Sequence, residues 1–456
     1  MSFKPPVTVP YPGRRKALRI GLSCVLDFVF LETLLTLKLI SMKLIPEELP
    51  NEHRLLLICA RKVLTPPQLE QAGAAIAAGL DWDLLARHAL HHGLSPLLYS
   101  HLQRNFPLAV SARPELRLKL LETSVRNLCL SAALLKILDA LQTAGIRALA
   151  YKGPALAMSL YGDIKLRDMS DLDVLIDRAS FPAAREVLAQ LGYQSASGYS
   201  RKQQKARLRS DCECEFSSFD GNVLVDLHWQ ITAPHLGHRF RFEDLWDRRR
   251  TIALGQKSIP TFSAEDTALL LAVHGGKHLW ERLSWLADFA ETLRQTPHRH
   301  NMDDREFDWR ELKLRARETR AERMLLLALA LAQAVLRLQI PPELSAAISN
   351  DAVVQAVAAD IAKKLFQDQH EGEIKDKAAL HPAPERWLTL IQLADSRWDG
   401  IRSAALFTLA SGPREWQTIR LPDSLFAFYP LLRLATVLRS IPAFFSSGRR
   451  ATPNSG

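Results

Sequence analysis

The sequence predicts an α+β protein, mostly helical, with a small central α/β unit of mixed sheet between helical regions. Three observations predict it. Leucine and alanine dominate, glycine numbers only 20, and β-branched runs are few, so helix is favoured over most of the chain. Between residues 146 and 235 the texture changes to short apolar runs separated by turn residues. A chain of 456 residues, 47% hydrophobic and 24% charged, is globular and long enough for two or three cores.

Residues 1–45 form an apolar N-terminal extension. Residues 17–45 resemble a signal or membrane segment at first sight, but Asp27, Glu32 and Lys38 interrupt them. The longest uncharged run, Ile20–Leu26, is far short of the roughly 20 apolar residues of a span. The segment reads as a helix lying on the protein or in peripheral contact with a membrane surface. It also reads as an upstream extension of a gene whose working start is Met42.

Residues 46–145 read as helices. Thr65 is a cap candidate with prolines just inside the helix, Asp81 caps the next, and a long amphipathic helix ends at Gly145. Residues 146–235 are the α/β core. "IRALAYKG" is a strand into a turn, "PALAMSLYG" a helix opened by Pro154, and "DLDVLI" a second strand. "FPAAREVLAQLGY" is a helix closed by Gly192, and "CECEFSSFDGNVLVDLHWQI" a hairpin turning at Asp220-Gly221. Residues 236–365 read as helical again, 366–384 as a polar linker, and 385–456 as a helical, aromatic region with a disordered tail.

The formal charge of +10 favours anionic partners such as nucleotides. Aromatic residues are not interleaved with the basic clusters, so nucleic acid as a partner is unsupported. Five scattered cysteines, an odd count without framework spacing, argue for a reducing, cytoplasmic setting. Cys212 and Cys214 with His235 and His238 fit no zinc pattern and read as ordinary strand and loop residues.

The chemistry lies in "KLRDMSDLDVLID". Strand alternation puts Asp171 and Asp173 on one face. The spacing by itself is cheap: Asp81-Trp82-Asp83 repeats it at a helix start, and strand-entry turn chemistry competes evenly. A third carboxylate, Asp226, is centred in the apolar strand "NVLVDLHWQI", where an unpaired charge is costly. Beside Asp171 and Asp173 it would complete an all-oxygen set suited to Mg²⁺ (or Mn²⁺) and substrate phosphates. Gly153 between a strand and a helix offers phosphates a helix N-terminus. Lys152 and Arg167 are candidate phosphate contacts, against a reading as solvated loop residues.

The run "KGPALAMSLYGDIKLRDMSDLDVLI" followed by "VDLHWQI" resembles the uncharacterised nucleotidyltransferase family of bacterial biosynthetic clusters, within the polymerase-beta-like nucleotidyltransferase superfamily. "DWDLLARHALHHGLSPLLY" and "HGGKHLWERLSWLADFAETL" share the resemblance. It implies Gly153 as the turn glycine, Asp171 and Asp173 as metal ligands, and Asp226 as the carboxylate that readies the acceptor hydroxyl. The implied reaction moves a nucleoside monophosphate from an NTP to an unknown acceptor: a small molecule, sugar phosphate, peptide or protein. The superfamily turn has Gly followed by Ser or Gly. Here Pro154 follows and brings no N–H, and Lys152 and Arg167 are expected to compensate. The alternative is a non-catalytic descendant that binds a nucleotide or a protein.

Three further residues are expected to line the cleft: His274, Lys277 and His278. A helix packing its tryptophans explains the same stretch, and no glutamate follows His274 as a zinc protease requires. Gly275-Gly276 within a helix calls for close packing against the α/β unit, or a ligand. His228 shares the Asp226 face, where it either assists a proton transfer or hydrogen-bonds Asp226.

Overall fold

Helix starts sit where their caps place them. The Gln68 side chain accepts from the Thr65 N–H at 2.9 Å and opens helix Pro66–Ala77, while Asp81 accepts from the Leu84 N–H and opens Trp82–His91. The computed structural model describes residues 49–111, 114–195, 200–294, 307–367, 384–409, 412–419 and 421–435. The expectations for residues 1–45, for most of the polar linker and for the tail lie outside the described residues. Among the described residues no helix is long and apolar enough to cross a membrane.

The fold is α+β and mostly helical, as the sequence predicts. The helices around the central sheet and the site are α1 (Pro114–Thr143), α2 (Gly153–Tyr161), α3 (Phe181–Gln190), α4 (Arg201–Ser210), α5 (Ala264–Lys277) and α6 (Leu283–Arg294). The central sheet contains β1 (Ala148–Ala150), β2 (Asp171–Ile176), β3 (Tyr193–Gln194), β4 (Glu213–Ser218) and β5 (Leu224–His228), in the order β1-β2-β5-β4-β3. It is mixed: β2 and β5 run parallel, and the other neighbours are antiparallel. The β4–β5 hairpin turns through Gly221 at φ 72°, a left-handed position that suits glycine.

The sheet's two faces differ in chemistry because strand side chains alternate. One face carries Leu172, Val174, Ile176, Val225, Leu227 and Phe216, packed against leucines of α1 and against α3. Burying each such side chain is worth about 1.5–3 kcal/mol, so this face anchors the unit. The opposite face carries Leu175 and Tyr151 together with the polar residues, His228 standing opposite Leu175 in the register with its ring 5.3 Å from that of Tyr151.

Two departures from the sequence reading bear on the site. Residues 250–261, placed there in a helical region, form an antiparallel hairpin, β6 (Arg250–Leu254) and β7 (Lys257–Thr261). Its Ile252, Leu254 and Ile259 join the core on the α1 side of the sheet. Alternating apolar residues over two short runs around Gly255 carry that signal. The stretch from Ser263 to Arg294 is two helices, α5 and α6, broken where Leu279 and Trp280 adopt positive φ.

The break explains Gly275-Gly276. A Cβ on Gly275 would lie 2.5 Å from the Trp280 ring, and one on Gly276 would lie 2.4 Å from Met324 Sδ. The glycines therefore admit packing within the helical region, rather than against the α/β unit or a ligand as the sequence suggested. That region is continuous in space. Helices before residue 106 and after residue 264 share one apolar core, into which α2 inserts Leu156, Leu160 and Tyr161.

Candidate functional site

The parallel pairing of β2 and β5 sets Asp173 directly opposite Asp226. Carboxylate oxygens of both, with a His228 ring nitrogen, lie within 4.8 Å of one another. Asp171 occupies the same face of β2, two residues nearer the strand's start, and stands outside that group. Asp173 is 4% exposed and His228 3%. The sheet thus gathers the three sequence-predicted carboxylates on one face, two of them in immediate contact range.

Each charge has an identifiable counterweight. Burial alone would push the Asp173 carboxyl up, but Lys152 and His228 outweigh it and hold Asp173 well below the usual carboxylate range. Lys152 Nζ donates to Asp173 Oδ1 at 2.8 Å. His228 Nε2 lies 3.2 Å from the same oxygen, and Nδ1 lies 3.2 Å from Glu213 Oε2. Both contacts are close yet poorly aligned, so neither ring nitrogen has a hydrogen-bond partner in line. The His228 charge acts on Asp226 too, but there it is outweighed. Burial and the charges of Glu213 and Asp173 push its carboxyl up to about 7. Asp171 is raised by burial and by Asp173.

These residues fit a divalent cation. Asp173 Oδ2 is buried and without a hydrogen-bond partner, a state that costs about 1–3 kcal/mol or more for a charged group. A carboxylate oxygen orphaned beside a second, repelled carboxylate is a donor pair that a cation would satisfy. Oxygen donors of this kind suit Mg²⁺ or Mn²⁺.

Lys152 reaches Asp173 through the turn at Gly153. That glycine has φ 50°, and a Cβ there would sit 3.1 Å from the Asp171 carbonyl oxygen. The backbone can pass this close to β2 only without a side chain. α2 begins at Gly153, with Pro154 in its first turn and Gly162 ending it in the left-handed conformation. Arg167 is not on a solvated loop. Its Nε donates to Asp288 Oδ2 at 2.8 Å, and Tyr161 Oη donates to Asp288 Oδ1 at 2.8 Å, so a buried pair ties the α/β unit to α6. The Arg167 charge still acts on Asp171, Asp173 and His274.

The C-terminal end of α5 supplies a cationic side. The His274 ring lies tilted to that of His278 and edge-on to that of Trp285, with ring centroids 4.8 and 5.1 Å away. Burial and the charges of Lys152, Lys277 and Arg167 keep His274 neutral far below its ordinary range. His278 is likewise held neutral, first by burial and then by Lys277 and Arg386. Its Nδ1 accepts from the Arg386 guanidinium at 2.9 Å. Lys277 acts on Glu213, whose carboxyl stays below its usual range because His228, Lys277 and Lys152 together outweigh burial. Cations around two neutral imidazoles repel a metal and favour an anion, so the histidine pair is not built as a metal site.

Sequence reasoning missed Glu213, Glu215, Arg386 and the role of Asp288. The first two were legible. In "CECEF", alternation buries Cys214 and Phe216 in the apolar face and turns Glu213 and Glu215 to the other. The hairpin register then sets Glu213 opposite His228 and Glu215 opposite Asp226. Arg386 lies more than a hundred residues from His278 in the chain and carries no local signal.

A family described as "Uncharacterised nucleotidyltransferase" matches residues 78–337, which include every residue of the acidic face and α5. No curated protein matches the chain. The match spans more than half of the sequence and contains the β2–β5 carboxylates together with both framing helical segments, and the chain belongs to this uncharacterised nucleotidyltransferase family.

Proposed function

We propose that the protein transfers a nucleoside monophosphate from an NTP to an acceptor hydroxyl or phosphate, releasing pyrophosphate. The observation that carries this reading is the in-register pair Asp173 and Asp226 on adjacent parallel strands, with Asp173 Oδ2 buried and unpartnered. When bound there, Mg²⁺ (or Mn²⁺) activates the attacking oxygen and stabilises the departing pyrophosphate.

The chain's own residues divide the remaining work. Asp171, Asp173 and Asp226 hold the metal, and Asp226 receives the acceptor's proton. Lys152 lies beside Asp173, where its ammonium stabilises charge developing on the phosphates. Lys277 and the charge of Arg167 extend that cationic field across the cleft, with His274 and His278 as neutral donors to the nucleotide. Gly153 and Ala155 supply the N–H groups of the first turn of α2 to the phosphates, because Pro154 has none. His228 orients Asp173 from its Nε2 side. The acceptor is a small molecule, sugar phosphate, peptide or protein, and the setting is cytoplasmic.

One observation favours a second reading, a nucleotide-binding descendant without turnover. Lys152 Nζ already satisfies Asp173 Oδ1, as a built-in cation would in a site that has dispensed with a metal. Thermal unfolding with each NTP, with and without Mg²⁺, separates the two. A ligand bound only by the folded state raises the midpoint, by about 2.7 kcal/mol of stability at a hundredfold excess over Kd. Transfer predicts a Mg²⁺-dependent shift with at least one NTP that Asp171→Asn/Asp173→Asn abolishes. A shift indifferent to Mg²⁺ supports the descendant, and no shift from folded protein overturns both.

A further inference from the structure

The face that carries the acidic cluster also carries a group of different chemistry. Cys212 Sγ, a Glu213 carboxylate oxygen and a His228 ring nitrogen lie within 4.8 Å of one another. Cys212 Sγ is 3.7 Å from Glu213 Oε2, and His228 Nδ1 is 3.2 Å from the same oxygen. A tetrahedral zinc-class ion has bonds of about 2.3 Å to sulfur and about 2.0–2.2 Å to nitrogen and oxygen. Those lengths give sulfur–oxygen and nitrogen–oxygen edges of about 3.6 and 3.4 Å, close to the two separations observed.

His228 supplies an independent observation. It is 3% exposed, and both ring nitrogens are buried without a hydrogen-bond partner in line. Nδ1 faces Glu213 and Nε2 faces Asp173 Oδ1. A metal on Nδ1 leaves the proton on Nε2, where it can be donated to Asp173. This is the carboxylate–histidine–metal arrangement that fixes a ligand's tautomer and orientation. An ion on Nδ1 therefore accounts for that orphaned nitrogen and fixes the tautomer whose Nε2 proton faces Asp173.

We propose that Cys212, Glu213 and His228 bind a divalent cation of the zinc class through the Sγ thiolate, a carboxylate oxygen and Nδ1. A fourth position remains for water or an anionic group. The donor set is distinct from the all-oxygen site assigned to Mg²⁺, because thiolate and imidazole select softer ions. His228 joins the two sites, so the softer ion holds the imidazole that touches Asp173. Cys214 takes no part, since it lies in the apolar core on the other face.

Cobalt(II) titration of the full chain, chelator-treated and free of nucleotide, tests this. One equivalent is expected to produce a thiolate-to-cobalt charge-transfer band and the intense visible bands of a tetrahedral site, both removed by added Zn²⁺. Cys212→Ser and His228→Gln are expected to lose the thiolate band, while Cys129→Ser and Asp171→Asn keep it. No thiolate band in the wild type, or one that survives Cys212→Ser, overturns the proposal. Should the variants fail to fold, X-ray absorption of the zinc-loaded wild type decides. One sulfur among nitrogen and oxygen neighbours supports the site, and a shell with no sulfur or several overturns it. Because no nucleotide is present, this outcome is independent of the transfer reaction. Asp171→Asn is expected to remove the Mg²⁺–NTP response and leave the cobalt spectrum intact.

Discussion

Asp173 keeps its charge in a buried place because Lys152 and His228 stand against one oxygen, whereas at Asp226, its neighbour across the strands, burial and the charges of Glu213 and Asp173 outweigh His228. The asymmetry has a pH signature in metal-free protein. The Asp226 carboxyl is raised from 3.8 to about 7, so folding favours its neutral form. That stability is fully present below the unfolded value of 3.8 and is lost as pH rises through about 7. In EDTA the stability of the wild type relative to Asp226→Asn is expected to fall as pH rises from about 4 to about 7, and Mg²⁺ is expected to stabilise more at pH 8 than at pH 6. Gly153 is the second residue on which the site turns. Alanine there must adopt φ 50° and meet the Asp171 carbonyl oxygen at 3.1 Å. Gly153→Ala is expected to cost about 1–3 kcal/mol in urea unfolding and to weaken the Mg²⁺–NTP shift, because the turn that delivers Lys152 moves. A loss of stability with the ligand response intact would separate the turn from the site.

Between elements, the coupling runs through Asp288 of α6, which accepts from both Arg167 and Tyr161. Removing one partner of a buried pair leaves an uncompensated charge, which costs about 3–5 kcal/mol. Asp288→Ala and Arg167→Ala are each expected to lose that much in urea unfolding. The paired replacement Arg167→Met/Asp288→Leu should lose clearly less than the sum of the single effects. Additive losses would show that the two side chains do not act as a unit. The same architecture explains why the sequence expectation for Arg167 was incomplete. A loop arginine before an acidic strand looks free until the partner helix, 121 positions along the chain, is in place.

Over the whole molecule, buried histidines set the acid limit. His92 is lowered to about 3 and His235 to about 4, burial being the first cause in each, and His238 is lowered for the same reason. Folding therefore favours their neutral forms. The stability they contribute is present above the unfolded value near 6.5 and is lost as pH falls through the folded values. Stability is expected to decline from about pH 6.5 downward. His92→Gln and His235→Gln should each reduce the slope of midpoint against pH between 6.5 and 5, and unchanged slopes would place the acid sensitivity elsewhere. These histidines sit mainly in or beside the helical body, so acid is expected to loosen that body before the sheet's apolar face.

Much was legible in the sequence because it follows from local rules. Two-residue alternation placed Asp171, Asp173 and Asp226 on shared faces, capping residues marked helix starts, and Asp220-Gly221 marked the hairpin. The same alternation sets Glu213 and Glu215 on the face opposite Cys214 and Phe216. Tertiary structure decided what depends on residues far apart in the chain. It chose β5 as the parallel neighbour of β2, which put Asp226 opposite Asp173. It also folded Trp280 back onto Gly275, drew Asp288 to Arg167 and Arg386 to His278, and merged two helical regions into one core. The physical reason is that periodicity fixes the direction of a side chain within its own element. Its partner, and with it its charge state, is set by which apolar surfaces of distant elements bury one another.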